Sequence, residues 1–323
     1  MSVVTKAVCA QPQIVAALAP YADSLADSRL PNLRQLPKDK PRLLLRLADP
    51  AQAEEVVQQA EQSLQSEIRA IQALGAAALR LQRRHQIILM IDLGDLREGL
   101  LYTDRAAILA AAKAVQAQPA LELIGLGSNL TCFGGILPDL QNLGQLLAIA
   151  GWLRQALSLP LPLISGGNSS SLGLLLSGRM PQGINHLRLG ESLLLGRDTA
   201  TGEAIEALHQ DAFTLKAVLG EVQTKPSQPI GRSGPNAFGE YPSFPDRGMM
   251  RRGIALIGRQ DTDAQGIRPR DQRISILGAS SDHLILDLTQ APDYQVGDPV
   301  QFDVDYGALL KAYTSPYLYK SFT

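Results

Sequence analysis

From residue 1 to about 205 the chain alternates short apolar runs with longer stretches in which apolar residues recur every three or four positions. Short runs bounded by turn residues predict strands, and the longer spacing predicts helices. The runs are Ser2–Lys6, Ser24–Asp27, Arg42–Leu47, Ser63–Ser66, Gln86–Leu93, Leu121–Gly127, Leu161–Ser165 and His186–Leu189. Helices are predicted over Ala51–Ala60, over Glu67–Arg84 with its Ala-rich body, from a Thr103 or Asp104 cap through Val115, and over Pro138–Leu157. A doubly wound open sheet shows a similar alternation. Eight strands in so short a length favour closure into an α/β (β/α)8 TIM barrel.

The pattern changes after about residue 210. Phe213–Val222, Gly253–Gly258, Gln272–Leu277, His283–Leu288 and Pro299–Val304 read as strands, divided by Gly, Pro and Asp clusters such as Gln228–Pro245. The division expected is a barrel over 1–208 and a smaller, mostly β domain over 209–323.

Composition narrows the function. The 30 Lys and Arg nearly cancel the 31 Asp and Glu, without runs of one sign, so there is no electrostatic argument for nucleic acid or an anionic membrane. No apolar stretch is long enough to span a bilayer, and the start lacks a signal-peptide pattern. Two cysteines do not make a disulfide framework, and neither they nor the four scattered histidines have metal-ligand spacing. A soluble cytoplasmic protein without a structural metal is expected.

Barrel chemistry sits at the carboxyl ends of the strands. The first run ends in Lys6, and a lysine at a strand mouth can lose solvation, lower its pKa and form a Schiff base with an aldehyde. A surface lysine near a ragged terminus is the plain alternative. Gln86–Leu93 leads into Gly94-Asp95-Leu96-Arg97-Glu98-Gly99, where the Arg97 guanidinium could donate to a phenolate or carboxylate. Leu121–Gly127 leads into Ser128-Asn129-Leu130-Thr131-Cys132, where Asn129 could contact a flat ring or merely turn the chain. Gly166-Gly167-Asn168-Ser169-Ser170-Ser171 offers backbone N–H groups and hydroxyls to a phosphate. Arg188, among apolar neighbours, must find an acceptor: a pyridine nitrogen, or a carboxylate elsewhere in the barrel.

In this order, the strand-ending lysine, D-L-G-x-x-R-x-G, G-L-G-[ST]-N, G-G-N-S and L-R-x-G-x-x-x-L-x-G resemble the fold-type III pyridoxal-phosphate enzymes, the alanine racemases and their relatives. Val4-Thr5-Lys6-Ala7-Val8-Cys9, Ala26-Asp27-Ser28-Arg29, Ile257-Gly258-Arg259-Gln260-Asp261 and Tyr306-Gly307-Ala308-Leu309-Leu310 resemble the ornithine racemase branch, so the likeness covers nearly the whole chain. It implies a pyridoxal-5'-phosphate-dependent racemase, a head-to-tail homodimer, acting on ornithine or another basic amino acid. Lys6 matches the Schiff-base lysine, Arg97 the arginine near the phenolic oxygen, and Asn129 the position of a histidine packed on the ring. Asn168, Ser169, Gly190 and Glu191 match the phosphate positions, and Arg188 the arginine facing the pyridine nitrogen. Rival readings are an alanine or broad-specificity racemase, a non-catalytic pyridoxal-phosphate carrier, and a metal-assisted aldolase.

Two departures bear on this. Racemisation needs an acid/base on each face of Cα. The turn where the family carries its second one, a tyrosine, reads Ile230-Gly231-Arg232-Ser233-Gly234 here, leaving Tyr241 and Cys132 as candidates and Arg232 as a holder of the substrate carboxylate. The resemblance also implies a strand and a helix before the lysine strand. We therefore expect a start called too late, leaving an edge of the β domain unpaired.

Overall fold

In the computed structural model, which describes residues Met1–Phe322, the apolar runs become β1 (Ser2–Val4), β2 (Ser24–Asp27), β3 (Arg42–Leu44), β4 (Gln62–Gln65), β5 (His85–Asp92), the short β6 (Leu100–Leu101), β7 (Leu121–Gly127), β8 (Leu163–Ser165) and β9 (Arg188–Leu189). Parallel pairing runs β8-β7-β5-β4-β3-β2-β1-β9, with β6 beside β5. A parallel bridge from Ser165 to His186 joins β8 to the approach of β9, and Gly166 N–H donates to His186 O at 2.9 Å. These are eight strands round a barrel.

Side chains alternate between two apolar layers, as strands buried on both faces require. Val4, Ala26, Leu43, Leu64, Ile88 and Met90 fill the interior. Val3, Leu25, Leu44, Ile87, Leu89 and Ile91 point outward to the helices. Gly127 faces inward, where an added Cβ would come 3.0 Å from Met90 Sδ and 3.5 Å from Arg188 Nη1. Its lack of a side chain gives the guanidinium its room.

The outer layer holds α1 (Pro12–Leu18), α2 (Leu30–Gln35), α3 (Ala53–Gln59), α4 (Ile68–Arg80), α5 (Arg105–Gln116), α6 (Leu140–Leu157), α7 (Leu172–Leu176) and α8 (Glu191–Leu195). Asp104 caps α5 by accepting from Ala107 N–H, and Asp139 with Asn142 forms a capping box on α6. The helix predicted to Arg84 stops at Arg80, with Gln82 in the left-handed region at φ 52°.

Contacts separate Met1–Leu208 from a second unit beginning at His209. That unit is an antiparallel sheet of β10 (Leu215–Pro226), β11 (Met249–Ala255), β12 (Ile267–Pro269), β13 (Ser275–Ala279), β14 (Leu284–Asp287) and β15 (Pro299–Val304), in the order β12-β15-β10-β11-β14-β13. Leu219, Ala255, Leu286, Val300 and Phe302 form its core, with α9 (Tyr306–Thr314) capped by Asp305. The sequence reading missed β12 and α9. Phe213 lies outside the strand predicted for it, its ring edge-on to Tyr313 at 6.0 Å.

Candidate active site

β1 ends at Val4, so Lys6 stands beyond the strand and not within it, as the sequence reading had it. Thr5 is buried and tied to β2: its N–H donates to Ala26 O at 2.9 Å and its hydroxyl to Asp27 Oδ2 at 2.8 Å. The chain then makes one 3-10 turn over Lys6–Val8. Among the described residues the Lys6 amine makes no hydrogen bond or ion pair. Burial holds its pKa below the ordinary lysine value; the thiolate form of Cys132 pulls it up and Arg97 pushes it down. A lowered pKa favours the free amine, which is the nucleophilic form.

Two guanidinium groups share this mouth of the barrel. Arg188 on β9 is 3% exposed, and its hydrogen-bond acceptors are all neutral: Ser165 Oγ, Ser128 O at 2.6 Å and Asn129 Oδ1 at 2.7 Å. The carboxylate named from the sequence as the structural alternative is not among them. Burial lowers its pKa to about 10, so it remains a cation at neutral pH. Arg97 donates through Nε and Nη2 to the carboxylate of Glu98, and Asn129 Nδ2 donates to the same carboxylate. Burial works most strongly against the charge on Glu98, but the bond and charge of Arg97, the Asn129 bond and the charge of Arg188 together outweigh it, and the pKa lies below the usual carboxylate range.

A further polar chain backs Arg188. Ser165 Oγ, which accepts from Arg188, lies 2.8 Å from His186 Nδ1, and His186 Nε2 lies 2.9 Å from Ser2 Oγ. Burial, then the charge of Arg188, holds His186 down to about 3.

The loop after β8 gathers serine hydroxyls and backbone N–H groups. Ser169 Oγ accepts from Gly190 N–H and Ser192 N–H, each at 3.2 Å, and Asn168 Oδ1 caps the turn by accepting from Ser170 N–H at 2.8 Å. Gly167 takes φ 120°, a conformation open to glycine, and swings the chain into this turn. Ser170 Oγ is buried without a partner, a polar group suited to a phosphate oxygen. In this convergence Ser192, which the sequence reading did not name, contributes beside Gly190; Glu191 opens α8 between them.

Asp95 fastens the loops after β5 and β7 together. It is 1% exposed, and its carboxylate accepts from the N–H groups of Cys132 at 3.2 Å, Phe133 at 2.9 Å and Ile136 at 3.2 Å. Cys132 Sγ in turn accepts from Asn168 Nδ2 at 3.2 Å. Arg97, Asn129, Asn168, Arg188 and Cys132 are thus joined by hydrogen bonds through Glu98 and the loop backbones. Tyr241 (80% exposed) and Arg232 belong to the second unit. Among the described residues, no three His, Cys, Asp or Glu side chains gather as metal ligands, and no helix is long and apolar enough to cross a membrane. Sequence reasoning missed Glu98 and Asp95 as site residues. The signal was present in Asp95-Leu96-Arg97-Glu98, where two carboxylates flank the arginine.

A family model, "Alanine racemase, N-terminal domain", matches residues 2–198. The chain is 44% identical to an ornithine racemase of Acetoanaerobium sticklandii over 99% of its own length and 91% of the relative's. It is 36% identical to a lysine racemase of Thermotoga maritima, over 92% of this chain and 83% of that protein. Among solved structures it is similar to the biosynthetic alanine racemase of Pseudomonas aeruginosa, with TM-score 0.70, 20% identity, and coverage of 98% of this chain and 90% of that one.

Proposed function

The chain belongs to the alanine racemase family, and we propose that it is a pyridoxal-phosphate-dependent racemase interconverting L- and D-ornithine in the cytoplasm as a homodimer. The observation that carries the reading is the convergence of an unpaired, desolvated lysine, two arginines and a serine–backbone anion cradle at one barrel mouth. The likeness to an ornithine racemase supports the substrate.

The residues fit the cofactor. Lys6 would hold its aldehyde, while Asn168, Ser169 and the backbone of Gly190 and Glu191 would hold its phosphate. Arg97 would face the phenolic oxygen, Asn129 the ring, and Arg188 the pyridine nitrogen. The barrel, 1–208, is then the cofactor domain, and 209–323 the C-terminal β domain. Bound pyridoxal phosphate supplies the electron sink that lets a Cα–H bond break. Arg188, locked by neutral acceptors and still protonated, would donate to a ring nitrogen without surrendering its proton. That leaves a weak sink, suited to proton exchange rather than transamination. With its amine free, Lys6 would move the proton on one face of Cα. Cys132 and Tyr241 are the candidates for the other, and Cys132, held at the barrel mouth by Asn168 and Asp95, is the one we favour.

The test is Cα deuterium exchange in heavy water, with L-ornithine, L-lysine and L-alanine supplied separately to the cofactor-loaded protein and to Lys6→Ala. D-ornithine appearing with deuterium, and only with Lys6 intact, supports the proposal. Cofactor bound at Lys6 without exchange from any amino acid sinks it, in favour of a carrier.

A further inference from the structure

We infer that Glu98 is a positioning residue: its carboxylate sets the orientation of both Arg97 and the Asn129 amide, and through that amide of Arg188. The inference rests on the reading above. Glu98 is 13% exposed in its side chain and is the only carboxylate among the described residues hydrogen-bonded to either guanidinium of the site.

The direction of every bond in this chain is forced. A carboxylate accepts and a guanidinium donates, so an amide between them has one permitted orientation. Asn129 therefore turns Nδ2 to Glu98 and Oδ1 to Arg188 Nη2. Without the carboxylate nothing fixes that choice, and the flipped amide would set an NH2 group against the guanidinium of Arg188. Glu98 also grips Arg97 along its Nε–Nη2 edge, leaving Nη1 without a partner among the described residues. That edge is the one left to reach a bound group. One anion thus prepares two arginines for opposite sides of a flat ligand.

The variants are Glu98→Gln, near in shape but uncharged, and Glu98→Ala, each purified with wild type. Pyridoxal-phosphate affinity, the visible absorption of the loaded protein against pH, thermal melting and racemisation are measured. Loss of charge-assisted bonds predicts a fall in kcat of about 10- to 100-fold for Glu98→Gln. The pH midpoint of the visible band moves down, because a negative charge near Lys6 has been removed. Added formate, a carboxylate small enough for the gap, restores activity and the band of Glu98→Ala. If wild type racemises while Glu98→Gln keeps its kcat, cofactor affinity and band titration, Glu98 positions nothing. The same holds if both variants only lower the melting temperature and formate restores neither property. Failure of the racemase reading is separate, since it shows in wild type.

Discussion

Asp95→Ala tests whether the two catalytic loops depend on one shared clasp. The substitution removes the acceptor for the N–H groups of Cys132, Phe133 and Ile136 but leaves Asp95 O, which accepts from Gly134 N–H at 3.1 Å. A hydrogen bond to a charged group contributes about 1.5–3 kcal/mol when well buried. These bonds are partly open to water on the side of the exposed Cys132 and Phe133, so about 1 kcal/mol each is the better figure, or ~3 kcal/mol together. In a unit of this size 1 kcal/mol moves Tm by about 2–4 °C, which predicts a fall of about 6–12 °C. Amide hydrogen exchange at Cys132, Phe133 and Ile136 should accelerate, while the amides of β5 stay protected. Cofactor affinity should fall as well, because Arg97 and Asn129 ride on the loosened loops. A Tm within about 2 °C of wild type, with unchanged exchange at those amides, would refute the reasoning.

Acid stability gives another prediction. Burial holds His85 at about 4 and His186 at about 3, both below the ordinary 6.5, so the fold favours the neutral rings. Their contribution is complete above pH 6.5 and is lost as the pH falls through the window down to 4 and 3. Melting curves across that window should be flatter for His85→Asn than for wild type; parallel curves would discount the histidine. For the second proton transfer, Cys132→Ala should abolish racemisation yet retain Cα exchange from one enantiomer, while Tyr241→Phe retains both. The opposite pattern would assign the role to Tyr241.

Where local pattern and tertiary packing agreed, the chain could be read directly. β2 and β7 have the bounds expected of them, because each apolar run is closed by a polar or glycine residue at the barrel rim. β12 escaped notice because three residues ending in Pro269 carry no periodicity, and it forms only by pairing with distant Val304, Asp303 and Phe302. The lysine and both arginines were legible as odd charges at strand ends. Their partners were not, for the acceptors of Arg188 include a backbone carbonyl and a serine from other strands, and a hydrogen bond across a barrel leaves no trace in sequence spacing.

The barrel joins its first and last strands along one seam, with Ser2 opposite Arg188 and Val3 opposite Leu189. The same seam delivers Lys6 from one side and Arg188 with Gly190 from the other. Lys6 and Arg188 therefore come together only where β1 pairs with β9, and the proposed binding site forms with that pairing. Ligand capture and the final folding step then draw on one free-energy change. Under the proposed function, cofactor concentration would be a lever on how much of the barrel is wound, and a cut in the outer helices should be better tolerated than a nick beside β1 or β9.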